Sequence, residues 1–213
     1  MLKFLFDYLF PKNEKVLRLE KMTWPELEEI APKALRPESR EINAIFSYKD
    51  PLVHELLWEI KYHANKKLAD LISPIVLDYA LSIIHDEAFF TEEDQAIITF
   101  IPASKSRHEK RGFDQGQIIL ESLEKADTTK RFKYASELLS YNKEVIQQSL
   151  TKSKLERLIN MGDAFKCPQP QLIQNKTIII MDDVCTTGAT LLDAKRAIEE
   201  AGARKVYLMA ISH

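Results

Sequence analysis

Apolar residues fall into two patterns along the chain, and the patterns alternate. Short, mostly apolar runs at Ile42 to Tyr48, Ala96 to Ile101, Ile178 to Ile180 and Lys205 to Ile211 predict strands. The four apolar residues between Thr177 and Asp182 suit a strand buried on both faces. Helical spacing appears between these runs. Leu52, Val53, Leu56, Leu57 and Ile60 follow Asp50-Pro51, and Leu192, Ala194, Ala197, Ile198 and Ala201 follow Thr186-Thr187-Gly188-Ala189-Thr190. Two more helical stretches are predicted at Asn65 to Ile84, which Pro74 is expected to kink or divide, and at Asp114 to Lys125. Alternating strands and helices predict an α/β fold, a mostly parallel Rossmann-like sheet flanked by helices and joined by right-handed crossovers.

Residues 1–40 read differently, being rich in charge and proline. Thr23-Trp24-Pro25-Glu26 is a capping-box signature for a short helix to Ile30. This region is expected to be an N-terminal helical appendage to one domain spanning 41–213. The opening run Met1 to Pro11 is broken by Asp7, lacks a small-residue cleavage site and is too short to span a bilayer. It is read as an amphipathic helix, with no membrane insertion.

Composition narrows the function classes. The 213 residues allow a sizeable core, and a formal charge of −2 gives no global attraction to nucleic acid. Two distant cysteines, Cys167 and Cys185, form neither a disulfide framework nor a zinc cage, and suit a reduced cytoplasmic compartment.

The most informative stretch runs from Thr177 to Leu191: a buried strand, the adjacent acids Asp182 and Asp183, a hydroxyl-rich loop, then a helix. That order puts the acids at the carboxyl end of a parallel strand, where open α/β sheets bind ligands. The following helix start offers unpaired N–H groups and a positive dipole end to an anion, so the site suits a sugar phosphate. A simple helix cap needs one polar residue, whereas this loop supplies five, and no Gly-Lys-Ser/Thr of a Walker A loop occurs. A general acid/base pair is disfavoured, because neighbouring side chains at a strand end are expected to diverge. A second loop, Pro102 to Gln115, carries four cations in the seven positions from Lys105 to Arg111. Alone it reads as a solvated basic loop; beside the first it becomes a second anion site.

Strand, Asp-Asp, spacer and Thr-Gly-x-Thr together resemble the 5-phosphoribosyl-1-pyrophosphate (PRPP) fingerprint of type I phosphoribosyltransferases. The resemblance implies that Asp182 and Asp183 hold the ribose hydroxyls, and that the segment Val184, Cys185, Thr186, Thr187, Gly188, Ala189 and Thr190 wraps the 5′-phosphate. It places the pyrophosphate loop at Ser104-Lys105, with a non-proline cis peptide there. Lys105 and Arg111 would offset the leaving charge, Mg²⁺ would accompany PRPP without direct protein ligands, and His108 is read as a solvated loop residue. Arg111-Gly112-Phe113-Asp114-Gln115 resembles the Arg-Gly-Phe-Asn-Gln element of the competence protein ComF family. Ile60-Lys61-Tyr62 is similar to its Leu-Lys-Tyr element, and Glu156-Arg157-Leu158-Ile159-Asn160 with Ala164-Phe165 to its Glu-Arg-x-x-Asn and Ala-Phe pattern.

Membership would imply a PRPP-binding protein connected with DNA-uptake partners in natural competence. The alternatives are a non-catalytic PRPP-sensing or docking module and a nucleobase salvage enzyme. The chain departs from the family twice. No cysteine lies close behind Leu9-Phe10-Pro11, the first being Cys167, so the family's zinc module is not expected. The segment Ser140 to Gln148, corresponding to the mobile loop, lacks arginine, and Lys143 and Lys152 of the wider 141–155 stretch are the candidate cations.

Overall fold

A computed structural model of the chain describes residues 14–35, 37, 39, 41–84, 95–104, 109, 111–142 and 164–213. Its strands are β1 (Ile42–Phe46), β2 (Ala96–Phe100), β3 (Phe132–Tyr134), β4 (Ser140–Tyr141), β5 (Phe165–Lys166), β6 (Thr177–Val184) and β7 (Lys205–Ser212). The helices are α1 (Glu14–Leu19), α2 (Trp24–Ile30), α3 (Pro51–His63), α4 (Lys66–Ile83), α5 (Gln115–Ala126) and α6 (Ala189–Glu200). Five strands form one wholly parallel sheet in the order β1-β7-β6-β2-β3.

The absence of alternation in β6 has a direct cause. Ile178 and Ile180 face one layer with Leu191, Ala194 and Ile198 of α6, whereas Ile179 and Met181 face the other with residues of α3, α4 and α5. Both faces are dry, so every position must be apolar. Helices α1 and α2 bury Leu19 and Leu27 in the same core as α3 and α4. The chain after α2 then runs beside β1: Ala34 N–H donates to the Ile45 carbonyl and Ser47 N–H to that of Pro32, with an antiparallel bridge between Lys33 and Phe46.

Pro74 does not divide α4, which runs unbroken from Lys66 to Ile83. Its apolar positions Leu68, Ile72, Ile75 and Val76 are buried. That burial outweighs the backbone hydrogen bond a proline removes. The Ser73 hydroxyl donates to the Ala69 carbonyl at 2.7 Å within the same turn.

The loop that opens α5 is held by an approach only glycine permits. A Cβ on Gly116 would lie 2.6 Å from Phe100 Cδ1 and 2.9 Å from Cγ. Phe100 is buried and has nowhere to retreat, so Gly116→Ala is expected to lower stability by about 1–3 kcal/mol through overpacking. Chemical denaturation measures it; an unchanged midpoint would show that β2 and α5 are loosely packed.

Candidate functional site

The continuous apolar run of β6 stops at Met181, and two acids follow it at the carboxyl end of the strand. Asp182 is partly exposed and Asp183 is buried. Beyond them the backbone is fastened to β7: Cys185 N–H donates to the Ser212 carbonyl at 2.8 Å, and the Ser212 hydroxyl donates to the Asp183 carbonyl at 3.2 Å. Thr186 and Thr187 are exposed, Ala189 and Thr190 half-buried. The turn into α6 depends on Gly188, whose φ of +80° is left-handed and whose absent Cβ would lie 2.2 Å from Ile42 Cδ1. The loop is therefore fixed at both ends, by β7 and by the glycine turn. It presents the first N–H groups of α6, which have no partner within the helix.

Electrostatics at the acids are unequal. Lys61 on α3 places its Nζ 2.7 Å from Asp183 Oδ2, with side-chain exposures of 24% and 10%. Burial works to raise the Asp183 pKa, but the Lys61 charge and the hydrogen bonds from Asp182 and Lys61 outweigh it, so this carboxyl sits below the usual aspartate value. For Asp182 burial and the neighbouring Asp183 charge act together and push the pKa well up. The Asp183 N–H donates to Asp182 Oδ1 at 2.9 Å. Lys61 meets Asp183, whereas no cation lies at hydrogen-bond distance from Asp182 among the described residues. Cys185 is held inert, its thiol pushed up by burial and by the Asp182 charge.

The second loop opens beside the first. Strands β2 and β6 are neighbours, with Phe100 opposite Met181, and Ile101 N–H donates to the Met181 carbonyl at 2.8 Å. The loop's two ends meet at Asp114, which caps α5 through Gly116 N–H at 2.8 Å and also accepts from Ala103 N–H at 3.4 Å. Ser104 is half-buried in this loop. Lys105, the Ser104–Lys105 peptide bond and His108 lie outside the described residues. Arg111 was expected to face the leaving group. The structure instead stacks its guanidinium 4.9 Å over the Tyr62 ring and directs Nη1 to Gln115 Oε1 at 2.8 Å. This anchorage links the loop to α3, and Tyr62 in turn contacts Trp58 at 4.1 Å between ring centroids.

Lys143 and Lys152 also lie outside the described residues, but the ends of their segment are placed. Strands β4 and β5 pair antiparallel, Asn142 N–H donates to the Ala164 carbonyl at 2.8 Å, and Ala164 N–H donates to the Asp193 carboxylate on α6 at 2.8 Å. Both ends of segment 143–163 are therefore clamped beside the helix that follows the phosphate loop.

The residue that sequence reasoning missed is Lys61. Its only signal was its place in Ile60-Lys61-Tyr62. No spacing argument links it to an acid 122 positions away.

Comparison with known proteins agrees with this arrangement. Residues 99–211, more than half of the chain, match the phosphoribosyl transferase domain. The DNA utilization protein YhgH of Escherichia coli is 23% identical over 175 residues, covering 82% of this chain and 73% of that protein. Competence protein ComFC of Bacillus subtilis is 28% identical over 165 residues, 76% of this chain and 60% of its own length. Its Streptococcus pneumoniae counterpart is 32% identical over 130 residues, 61% and 53% respectively. With a wholly parallel sheet, an acid pair ending β6 and a glycine turn into α6, the chain belongs to the phosphoribosyl transferase domain family as a ComF-like member with the type I fold.

Proposed function

We propose that this chain binds PRPP across the carboxyl ends of β2 and β6, in the cytoplasm, as part of the handling of incoming DNA during competence. The observation that carries the reading is the adjacency of the two loops on neighbouring parallel strands, joined by the Ile101–Met181 hydrogen bond. A ligand with phosphate groups at both ends of one ribose fits two anion loops opening side by side better than any single-phosphate ligand does. The names of the Escherichia coli and Bacillus subtilis relatives support the biological setting.

Each residue then has a role. The N-terminal N–H groups of α6, with Thr186, Thr187 and Thr190, take the 5′-phosphate. Asp182 and Asp183 take the ribose hydroxyls. Ser104 and Lys105 meet the pyrophosphate, and Arg111 holds their loop against α3. Mg²⁺ fits this donor set, since carboxylate oxygens can accept from the waters that the ion retains, and when bound it would neutralise pyrophosphate charge. Transfer to a nitrogen base would break the C1–O bond to pyrophosphate and form a C1–N bond through an oxocarbenium-like centre. Such a reaction needs charge neutralisation and exclusion of water rather than a covalent nucleophile.

A non-catalytic PRPP-sensing module is the second reading, favoured by the engagement of Arg111 with Tyr62 and Gln115. Because Asn142 and Ala164 are already hydrogen-bonded, residues 143–163 can be replaced by a short glycine linker without moving the clamp. In an enzyme this deletion is expected to lower turnover far more than PRPP affinity, since closure excludes water. In a sensing module affinity is retained and there is no turnover to lose. Labelled PRPP, Mg²⁺ and a panel of bases, with detection of released pyrophosphate, distinguish the two. Absence of PRPP binding in the intact protein would overturn both.

A further inference from the structure

Lys61 is placed by its neighbours on α3. It lies in the last turns of α3 between two differently placed neighbours, Ile60 buried in the core and Tyr62 exposed under Arg111. Ile60 fixes the rotation of the helix, and Tyr62 ties it to the second loop. The ammonium consequently arrives at Asp183 from a preorganised element, with Nζ 2.7 Å from Oδ2. A partly buried ion pair of this geometry keeps each charge in place, because separating them would leave either one poorly solvated. Asp182, hydrogen-bonded to Asp183 but without a cation of its own at hydrogen-bond distance among the described residues, is the carboxyl with capacity for a new donor.

We propose that Lys61 is a positioning residue for the ribose end of the site: its ammonium commits Asp183 as a fixed counter-charge, leaves Asp182 to accept from the ribose hydroxyls, and supplies from within the chain part of the positive charge that a divalent cation brings to the acid pair. The inference rests on the PRPP reading and deepens it. It makes the two acids unequal partners, one facing the ligand and one facing α3. It also makes the ribose–phosphate half of the ligand bindable with little help from a metal ion, while the pyrophosphate half retains its need for one.

The test uses the full chain and two probes in calorimetry, ribose 5-phosphate without metal and PRPP over a series of Mg²⁺ concentrations. Lys61→Met keeps the apolar stem and removes the charge. It is expected to weaken ribose 5-phosphate and PRPP by the same factor, about tenfold or more, the scale of one charge-assisted hydrogen bond. Raising Mg²⁺ should recover part of the PRPP loss, and Lys61→Arg should restore most of the affinity for both probes. A purely structural lysine would not produce that metal dependence. Asp182→Asn is expected to weaken ribose 5-phosphate more than Asp183→Asn does, a comparison that stands even if Lys61→Met does not fold. Wild-type affinity in Lys61→Met overturns the inference, as do a loss confined to PRPP, which would put the ammonium on the pyrophosphate, and equal losses in the two aspartate variants. Failure of the wild-type protein to bind either probe would overturn the PRPP reading, and this inference with it.

Discussion

Thr190→Leu is expected to abolish PRPP binding in a protein that remains folded. Thr190 stands in the first turn of α6, one residue after Ala189 and two after the left-handed Gly188. A phosphate reaches the N–H groups that open that helix only if the residues around it are small. Leucine adds bulk where the anion must enter and removes a hydroxyl. Losing two charge-assisted hydrogen bonds of about 1.5–3 kcal/mol each corresponds to more than a hundredfold in affinity. Stability should hardly change, since leucine is at least as good a helix former as threonine and the site is only half-buried. Calorimetry with PRPP and Mg²⁺, alongside a thermal melt, reads both quantities. Unchanged binding would remove this loop from the site altogether.

The second large effect is opposite in sign at adjacent residues. The Asp182 pKa is raised in the folded protein by burial and the Asp183 charge. Its ionisation therefore costs stability as pH rises above the unfolded value of about 3.9. Asp182→Asn removes that cost and is expected to stabilise the ligand-free protein at neutral pH by about 1 kcal/mol or more. Asp183 is the reverse case. Lys61 and the hydrogen bonds lower its pKa despite burial, so its contribution is present above about 3.9 and lost as pH falls through the folded value. Asp183→Asn leaves Lys61 without its counter-charge and is expected to destabilise by about 1–3 kcal/mol at neutral pH, below the cost of breaking a fully buried pair because Lys61 is partly exposed. In acid both differences from wild type should shrink. Melts from pH 7 to pH 3 test this; parallel curves for the two variants would show that the acids are electrostatically equivalent.

Four of the five strands of the sheet were legible as apolar runs, whereas β3, three residues long at the border with its middle residue exposed, carries no such run; the phosphate loop was legible because its parts are contiguous: acids, hydroxyls, glycine and helix start lie within one short stretch. What was not legible depends on contacts across the fold. Nothing local in Ile60-Lys61-Tyr62 shows that Lys61 reaches Asp183, or that Tyr62 receives Arg111. Arg111 looked available for an anion only because its ring partner lies on another helix. Pro74 was read as a divider because local propensity was weighed without the burial of Leu68, Ile72 and Val76 on the face α4 presents to the core. Asp114 in place of asparagine looked like a minor departure, yet its carboxylate joins both ends of the second loop.

The stretch beside β1 has a consequence for colloidal behaviour. With β1 outermost in the order β1-β7-β6-β2-β3, its free side would present unpaired N–H and C=O groups to any passing strand. Pro32, Lys33 and Ala34 occupy part of that side by pairing with Ser47, Phe46 and Ile45. The residues leading into the domain thus act as an edge guard, an antiparallel strip too short to recruit a further strand. The opposite border is β3, only three residues long. The sheet is thereby blunted at both margins, by a covering strip on one and brevity on the other, and its reactive end is left as the place where the molecule invites contact.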